Sequence, residues 1–174
     1  MDTSRLGRGE TIAAASAVAL FLIMFIFSWF GVDASAGAFS ASAGANAFES
    51  FGFIDLVLML TVIVAIVGAA MSANASSVNT PVAISSITAG LGILSVILIL
   101  FRIISPPDFG INDFGDIAGV EVGRKIGVFL GLIAAGGIAY GGWVAMQEEG
   151  TSFGDQADRF GGSGGGNAPP PPEV

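Results

Sequence analysis

The 174-residue sequence contains no cysteine and no histidine. Without cysteine there is no disulfide, no thiolate nucleophile and no iron–sulfur ligand. Without histidine the commonest metal ligand is missing, and so is the side chain that titrates near neutral pH. Charge is also scarce. Asp, Glu, Lys and Arg make up 11% of the chain, where a soluble domain carries roughly 25%. Only six residues are Lys or Arg, and the longest basic run is Arg124-Lys125. That argues against nucleic acid as a partner, because such binding neutralises several phosphates at once. A polybasic lipid-binding segment is missing for the same reason.

Apolar residues fill the space that charge leaves. They amount to 53% of the chain, and the mean hydropathy is +0.80. They gather in four runs, 11–30, 54–71, 82–101 and 126–146. At about 1.5 Å per residue, runs of about 20 residues cross a hydrocarbon core of about 30 Å. The expected fold is therefore an all-α integral membrane protein, a four-helix transmembrane bundle over residues 11–149. A short polar stretch, 1–10, precedes it, and a Gly/Pro-rich tail, 150–174, follows. The tail holds Gly161-Gly162-Ser163-Gly164-Gly165-Gly166 and Pro169 to Pro172. It has no apolar face to bury and should be flexible.

The first run ends in Trp29-Phe30, which suits an interfacial aromatic position. Arg5 and Arg8 before it also resemble the start of a signal peptide, and Ala34-Ser35-Ala36 offers a cleavage pattern. The apolar run exceeds the usual h-region of about 7–15 residues, which favours a retained helix. Residues 31–53 read as an interfacial loop with Phe39, Phe48, Phe51 and Phe53 near headgroups; a short amphipathic or re-entrant helix over 43–51 is the other reading. Asp55 opens the second run, where a carboxylate suits a helix N-terminus. The third run is dotted with Ser85, Ser86, Thr88 and Ser95, read as helix-packing groups. Pro106-Pro107 should end it.

The fourth run carries small residues at every fourth position: Gly119, Gly123, Gly127, Gly131, Ala135 and Ala139. Such a stripe lets another backbone approach closely inside a bilayer. Its partner is open: the first, second or third helix, or the same stripe in a second copy. Gly131 and then Gly127 are the positions where a large side chain should do most harm.

No catalytic, cofactor-binding or metal-binding constellation emerges. Asp108-Phe109-Gly110 repeats the letters of a kinase metal motif without the surrounding loops. Asp108, Asp113, Asp116 and Glu121 do not have the spacing of a calcium loop. Four spans put both termini on one side. Lys and Arg are balanced three against three, and Arg5 and Arg8 beside the first helix favour a cytoplasmic side for both termini. In that layout Asp55, Arg102, Arg124 and Lys125 share one membrane face, and Asp55 is expected to pair with Arg102 or Arg124.

Certain segments resemble a group of uncharacterised small four-span membrane proteins of actinobacteria. They are Phe51-Gly52-Phe53-Ile54-Asp55, Phe101-Arg102-Ile103-Ile104-Ser105-Pro106-Pro107, Arg124-Lys125-Ile126-Gly127 and Ala139-Tyr140-Gly141-Gly142-Trp143 with Glu148-Glu149-Gly150. The resemblance implies the four-helix layout and a plasma-membrane location, and it carries no activity. The sequence thus points to a non-enzymatic structural, accessory or complex-forming membrane protein. Membrane lipid would surround it, with a homo-oligomer or another membrane protein as partner. A small oligomeric channel or transporter is the alternative. A membrane enzyme working through the aspartates of the 102–123 loop ranks third.

Overall fold

The computed structural model describes residues 6–36, 39–74, 84–107 and 120–154. Asp108, Asp113, Asp116, Gly119, the expected start of the third span and most of the tail lie outside them. Four helices are long and apolar enough to cross a bilayer: α1 (Arg8–Ile26), α3 (Phe53–Ala73), α4 (Ile84–Ile104) and α5 (Ile126–Glu148). They form the four-span bundle that the apolar runs predict. Their outward faces stay apolar, with Leu22, Leu56, Ile63, Ile97 and Ile133 all exposed. That is how a bundle meets hydrocarbon.

The helix ends follow from local chemistry. Glu10 accepts the Gly7 N–H at 3.0 Å, which holds the first turn of α1. α4 stops at Ile104, two residues before Pro106-Pro107, because a proline disfavours helical backbone in the residue before it. At the end of α5, Gly150 takes φ 67°. Thr151 N–H reaches Met146 O at 3.0 Å and Gly150 N–H reaches Gln147 O at 3.1 Å. This is the Schellman arrangement, in which a glycine in left-handed backbone lets the last carbonyls find donors.

Residues 31–53 are not an irregular loop. β1 (Phe30–Ala36) and β2 (Phe39–Ala45) form a hairpin, and β3 (Val120–Arg124) joins the other side of β1. The result is an antiparallel sheet in the order β2-β1-β3. Pairings run Phe30↔Ala45 to Ser35↔Ser40 on one side and Phe30↔Arg124 to Asp33↔Glu121 on the other. Period-two alternation gives the sheet two faces. Phe30, Val32, Ala34, Ala41, Ala43 and Val122 share one face; Asp33, Ser35, Ser40, Ser42 and Glu121 share the other. After the hairpin comes a short helix, α2 (Ala47–Phe51), within the stretch where a short helix was the alternative. Asn46 and Glu49 cap it reciprocally: Asn46 Oδ1 accepts Glu49 N–H at 3.1 Å and Glu49 Oε2 accepts Asn46 N–H at 3.0 Å. Gly52, at φ 60°, turns the chain directly into α3.

The core lies between the helices and continues beneath the sheet. Leu20, Met24, Leu58, Ile99, Val128 and Ile138 fill the bundle, while Trp29, Phe30 and Ala47 fill its sheet end. α5 is the hub and packs chiefly against α1 and α4. An i+4 step turns about 40° past a full circle in a helix of 3.6 residues per turn. The small-residue ladder therefore drifts around α5 instead of facing one neighbour. A Cβ on Gly127 would lie 2.5 Å from Ser28 O, and one on Gly131 would lie 2.5 Å from Trp29 Cζ2. By Ala139 the ladder meets α4, where a Cβ on Gly92 would lie 2.6 Å from Ala139 N. A second run of small residues faces α1: a Cβ on Gly141 would lie 2.8 Å from Ala13 Cα, and one on Gly9 would lie 2.6 Å from Ala145 Cα.

Candidate functional site

The sheet end of the bundle concentrates most of the residues singled out above. It is organised by Ser28 and Trp29, where the chain leaves α1. Ser28 O accepts the Gly127 N–H at 3.0 Å and Trp29 O accepts the Lys125 N–H at 3.0 Å, so this segment caps α5. Trp29 N–H reaches Ala45 O at 2.8 Å and ties in β2. The Trp29 indole N–H donates to Ile23 O at 3.1 Å. The ring lies over Gly127 and Gly131. Trp29 and Phe30 are each 0% exposed, which corrects the expected interfacial position. Because α1 ends at Ile26 and Phe27 becomes extended, the chain turns back over the bundle. The glycines of α5 leave a shelf that an indole can occupy.

The charged residues gather at the same end with different partners from those expected. Lys125 Nζ is held by both oxygens of Asp33, at 2.8 and 2.9 Å. Its stem crosses Gly31, where a Cβ would lie 2.5 Å from Lys125 Cε. Gly31 and Gly123 are aligned across β1 and β3 and leave room for this reach, while Gly44 on β2 makes room for the Ser28 side chain. Arg124 Nε donates to Ile103 O at 2.6 Å, and an Arg102 terminal nitrogen donates to Ser50 O at 3.2 Å. Asp55 is 4% exposed. Among the described residues it makes no ion pair, and its Oδ1 is buried without a hydrogen-bond partner. The ion pair here joins α5 to the sheet, whereas the expected one joined α5 or α4 to α3. The β1–β3 pairing brings Asp33 to Lys125, and the apolar runs carry no trace of that pairing.

Beyond Asp33, the polar face of the sheet forms an open depression of about 380 Å³ lined by Asp33, Ala34, Ser35, Ser40, Ala41, Ser42 and Glu121. It is hydroxyl-rich, and one of its two carboxylates is already neutralised by Lys125. No group of three or more His, Cys, Asp or Glu is placed to hold a metal among the described residues.

Three glutamates fasten the opposite end. Glu148 Oε2 accepts the Gly9 N–H at 3.2 Å, at the start of α1. Glu149 Oε2 accepts the Ser85 hydroxyl at 2.5 Å, at the start of α4. Glu10 accepts the Ser72 hydroxyl near the end of α3. A carboxylate beside a helix N-terminus is favoured by the orphan N–H groups and the helix dipole there. Between the two ends, Ser95 and Thr61 share a hydrogen bond of 2.8 Å and are each 0% exposed. Thr61 also bonds back to Val57 O at 2.8 Å, and Ser86 donates to Met146 Sδ at 3.0 Å.

Most of the hydrogen-bonded polar groups of these sets join one element to another. The arrangement can fix helices relative to one another. No protein-family model, curated protein or solved structure matches the chain.

Proposed function

We propose that this small multi-span membrane protein is a non-enzymatic structural or accessory subunit that works by assembling with other components of the plasma membrane. The observation that carries this reading is the use of its intramembrane polar groups. Thr61 and Ser95 bond to each other, Ser86 to Met146, Ser85 to Glu149 and Ser72 to Glu10. A conduit needs such groups turned toward water or a permeating solute. Here they hold α3 to α4, α4 to α5 and α3 to α1. Trp29 and Phe30 close the bundle at the sheet end, which also favours a packed body over a passage. Both termini are assigned to the cytoplasmic side. Support comes from Arg5 and Arg8 beside the first helix and from the meeting of the first turn of α1 with Glu148 of α5. The resemblance to small four-span actinobacterial proteins agrees with this placement.

Purification from its native membrane in mild detergent tests the proposal. The expected result is recovery in a defined complex, with itself or with a second membrane polypeptide in fixed stoichiometry. Recovery as a lone chain that retains a specific ion or solute would favour the channel or transporter reading instead.

A further inference from the structure

The two charged residues of β3 leave the sheet on opposite faces, because residues two apart on a strand share a face. Glu121 pairs with Asp33 on the polar face. Arg124 pairs with Phe30 and shares the face of Val122, and both of these pack into the core. β3 is an edge strand and Arg124 is exposed, so its side chain emerges beside the bundle, on the side of the sheet that the spans occupy. The guanidinium is fixed there by its inner nitrogen. Nε donates to Ile103 O at 2.6 Å, a carbonyl in the last turn of α4, where helix carbonyls lack an intrahelical donor and a cation is favoured. That bond leaves the two terminal nitrogens side by side, the edge with which an arginine grips a phosphate or a carboxylate through two parallel bonds. Among the described residues Arg124 makes no ion pair: Asp33 holds Lys125, and Glu49 caps α2. Exposed apolar side chains flank it, Phe101 and Ile104 on α4 and Ile126 and Phe129 on α5.

We propose that Arg124, with the exposed ends of α4 and α5, forms a binding site for one anionic phospholipid. Its phosphate sits on the two terminal nitrogens of Arg124, and an acyl chain runs along Phe101, Ile104 and Phe129. Charge, depth and surface chemistry select this occupant together. A guanidinium without a carboxylate partner calls for one negative charge. A zwitterionic headgroup brings an ammonium group beside the guanidinium and gains less. The net charge of −8 does not repel the lipid here, because Asp33 and Glu121, the acidic residues of the sheet, lie on its other face. In depth, α4 and α5 are both spans, and Arg124 lies between the last turn of one and the first turn of the other. That is the level at which hydrocarbon gives way to headgroups. The apolar flank then separates a lipid from a soluble anion. An acyl chain covers Phe101 and Ile104, whereas a free phosphate leaves them exposed and gains nothing from them.

The site rests on the membrane-spanning fold and not on the structural or accessory role. Native mass spectrometry tests it, on the purified full chain equilibrated in mild detergent with an equimolar mixture of phosphatidylglycerol and phosphatidylcholine. The expected result is a retained phosphatidylglycerol in clear excess over phosphatidylcholine. Arg124→Gln should lose that excess while its helix content stays unchanged. Ile104→Asn leaves the guanidinium in place and should lower the excess as well, a result that does not depend on how well Arg124→Gln folds. Lys125→Gln removes the same charge one residue away, from a side chain that reaches Asp33 on the polar face, and should keep the excess. Equal retention of the two lipids by the unaltered chain, an excess that survives Arg124→Gln or Ile104→Asn, an excess lost equally in Lys125→Gln, or displacement of the lipid by inorganic phosphate would each overturn the site.

Discussion

The glycine shelf under Trp29 sets a sign as well as a size. A Cβ built on Gly131 lies 2.5 Å from Trp29 Cζ2, against about 3.5–4.0 Å for carbon atoms at rest. Gly131→Ala must therefore move the indole or α5 by about 1 Å. The ring has little room to give. Trp29 is 0% exposed and its N–H is held at 3.1 Å by Ile23 O. Overpacking of this kind costs about 1–3 kcal/mol, set against a gain of up to about 1 kcal/mol from replacing a helical glycine with alanine. The net effect is a loss. Gly136, on the same helix, is the internal control, because a Cβ there meets nothing within 4 Å. Gly136→Ala should be neutral or stabilising. The two variants should thus differ by about 1–3 kcal/mol in reversible unfolding from detergent micelles, with Gly131→Ala the weaker. Trp29→Phe withdraws the outer edge of the indole, so it should shrink the cost of Gly131→Ala by at least about 1 kcal/mol in a double-mutant cycle. A Gly131→Ala protein as stable as Gly136→Ala, or additivity of Gly131→Ala with Trp29→Phe, would refute the shelf.

Two further substitutions separate backbone strain from side-chain bonding. Gly52→Ala meets no atom within 4 Å, yet its backbone sits at φ 60°. It should cost about 1–3 kcal/mol through strain alone, read as a lowered melting temperature with α2 and α3 otherwise retained. Thr61→Val and Ser95→Ala break the same buried bond. Each should cost about 0.6–1.7 kcal/mol, and the double variant little more than the worse single one.

The spans were legible because an apolar run of bilayer length leaves a chain few other structures. The sheet was not, and its composition says why. Residues 39–45 do alternate, but with Ser, Ala and Gly in place of the β-branched and aromatic residues that mark a strand. β1 is held by β3 across about ninety residues of intervening chain, a pairing that no local pattern encodes. The site suffered from the same gap. Lys125 lies at the face expected of it, but its partner Asp33 is fixed by the β1–β3 register. Trp29 at the end of an apolar run reads as an interfacial anchor. Only the end of α1 at Ile26 and the bare shelf of α5 reveal it as a wedge. Glu148 and Glu149 read as the stop after the last span. Their use as acceptors for the starts of α1 and α4 needs the helices already brought together. The small-residue ladder was visible, but its drift from the Trp29 side to α4 follows from helix geometry and not from spacing alone.

Under the proposed role, the polar groups within this bundle hold helices together instead of lining a passage. Reconstitution of the purified full chain into sealed liposomes addresses it most directly, with ion and small-solute flux followed at several protein-to-lipid ratios. Flux equal to that of protein-free liposomes is expected at every ratio. A saturable flux that rises with protein and is lost in Ser95→Ala or Thr61→Val would contradict it.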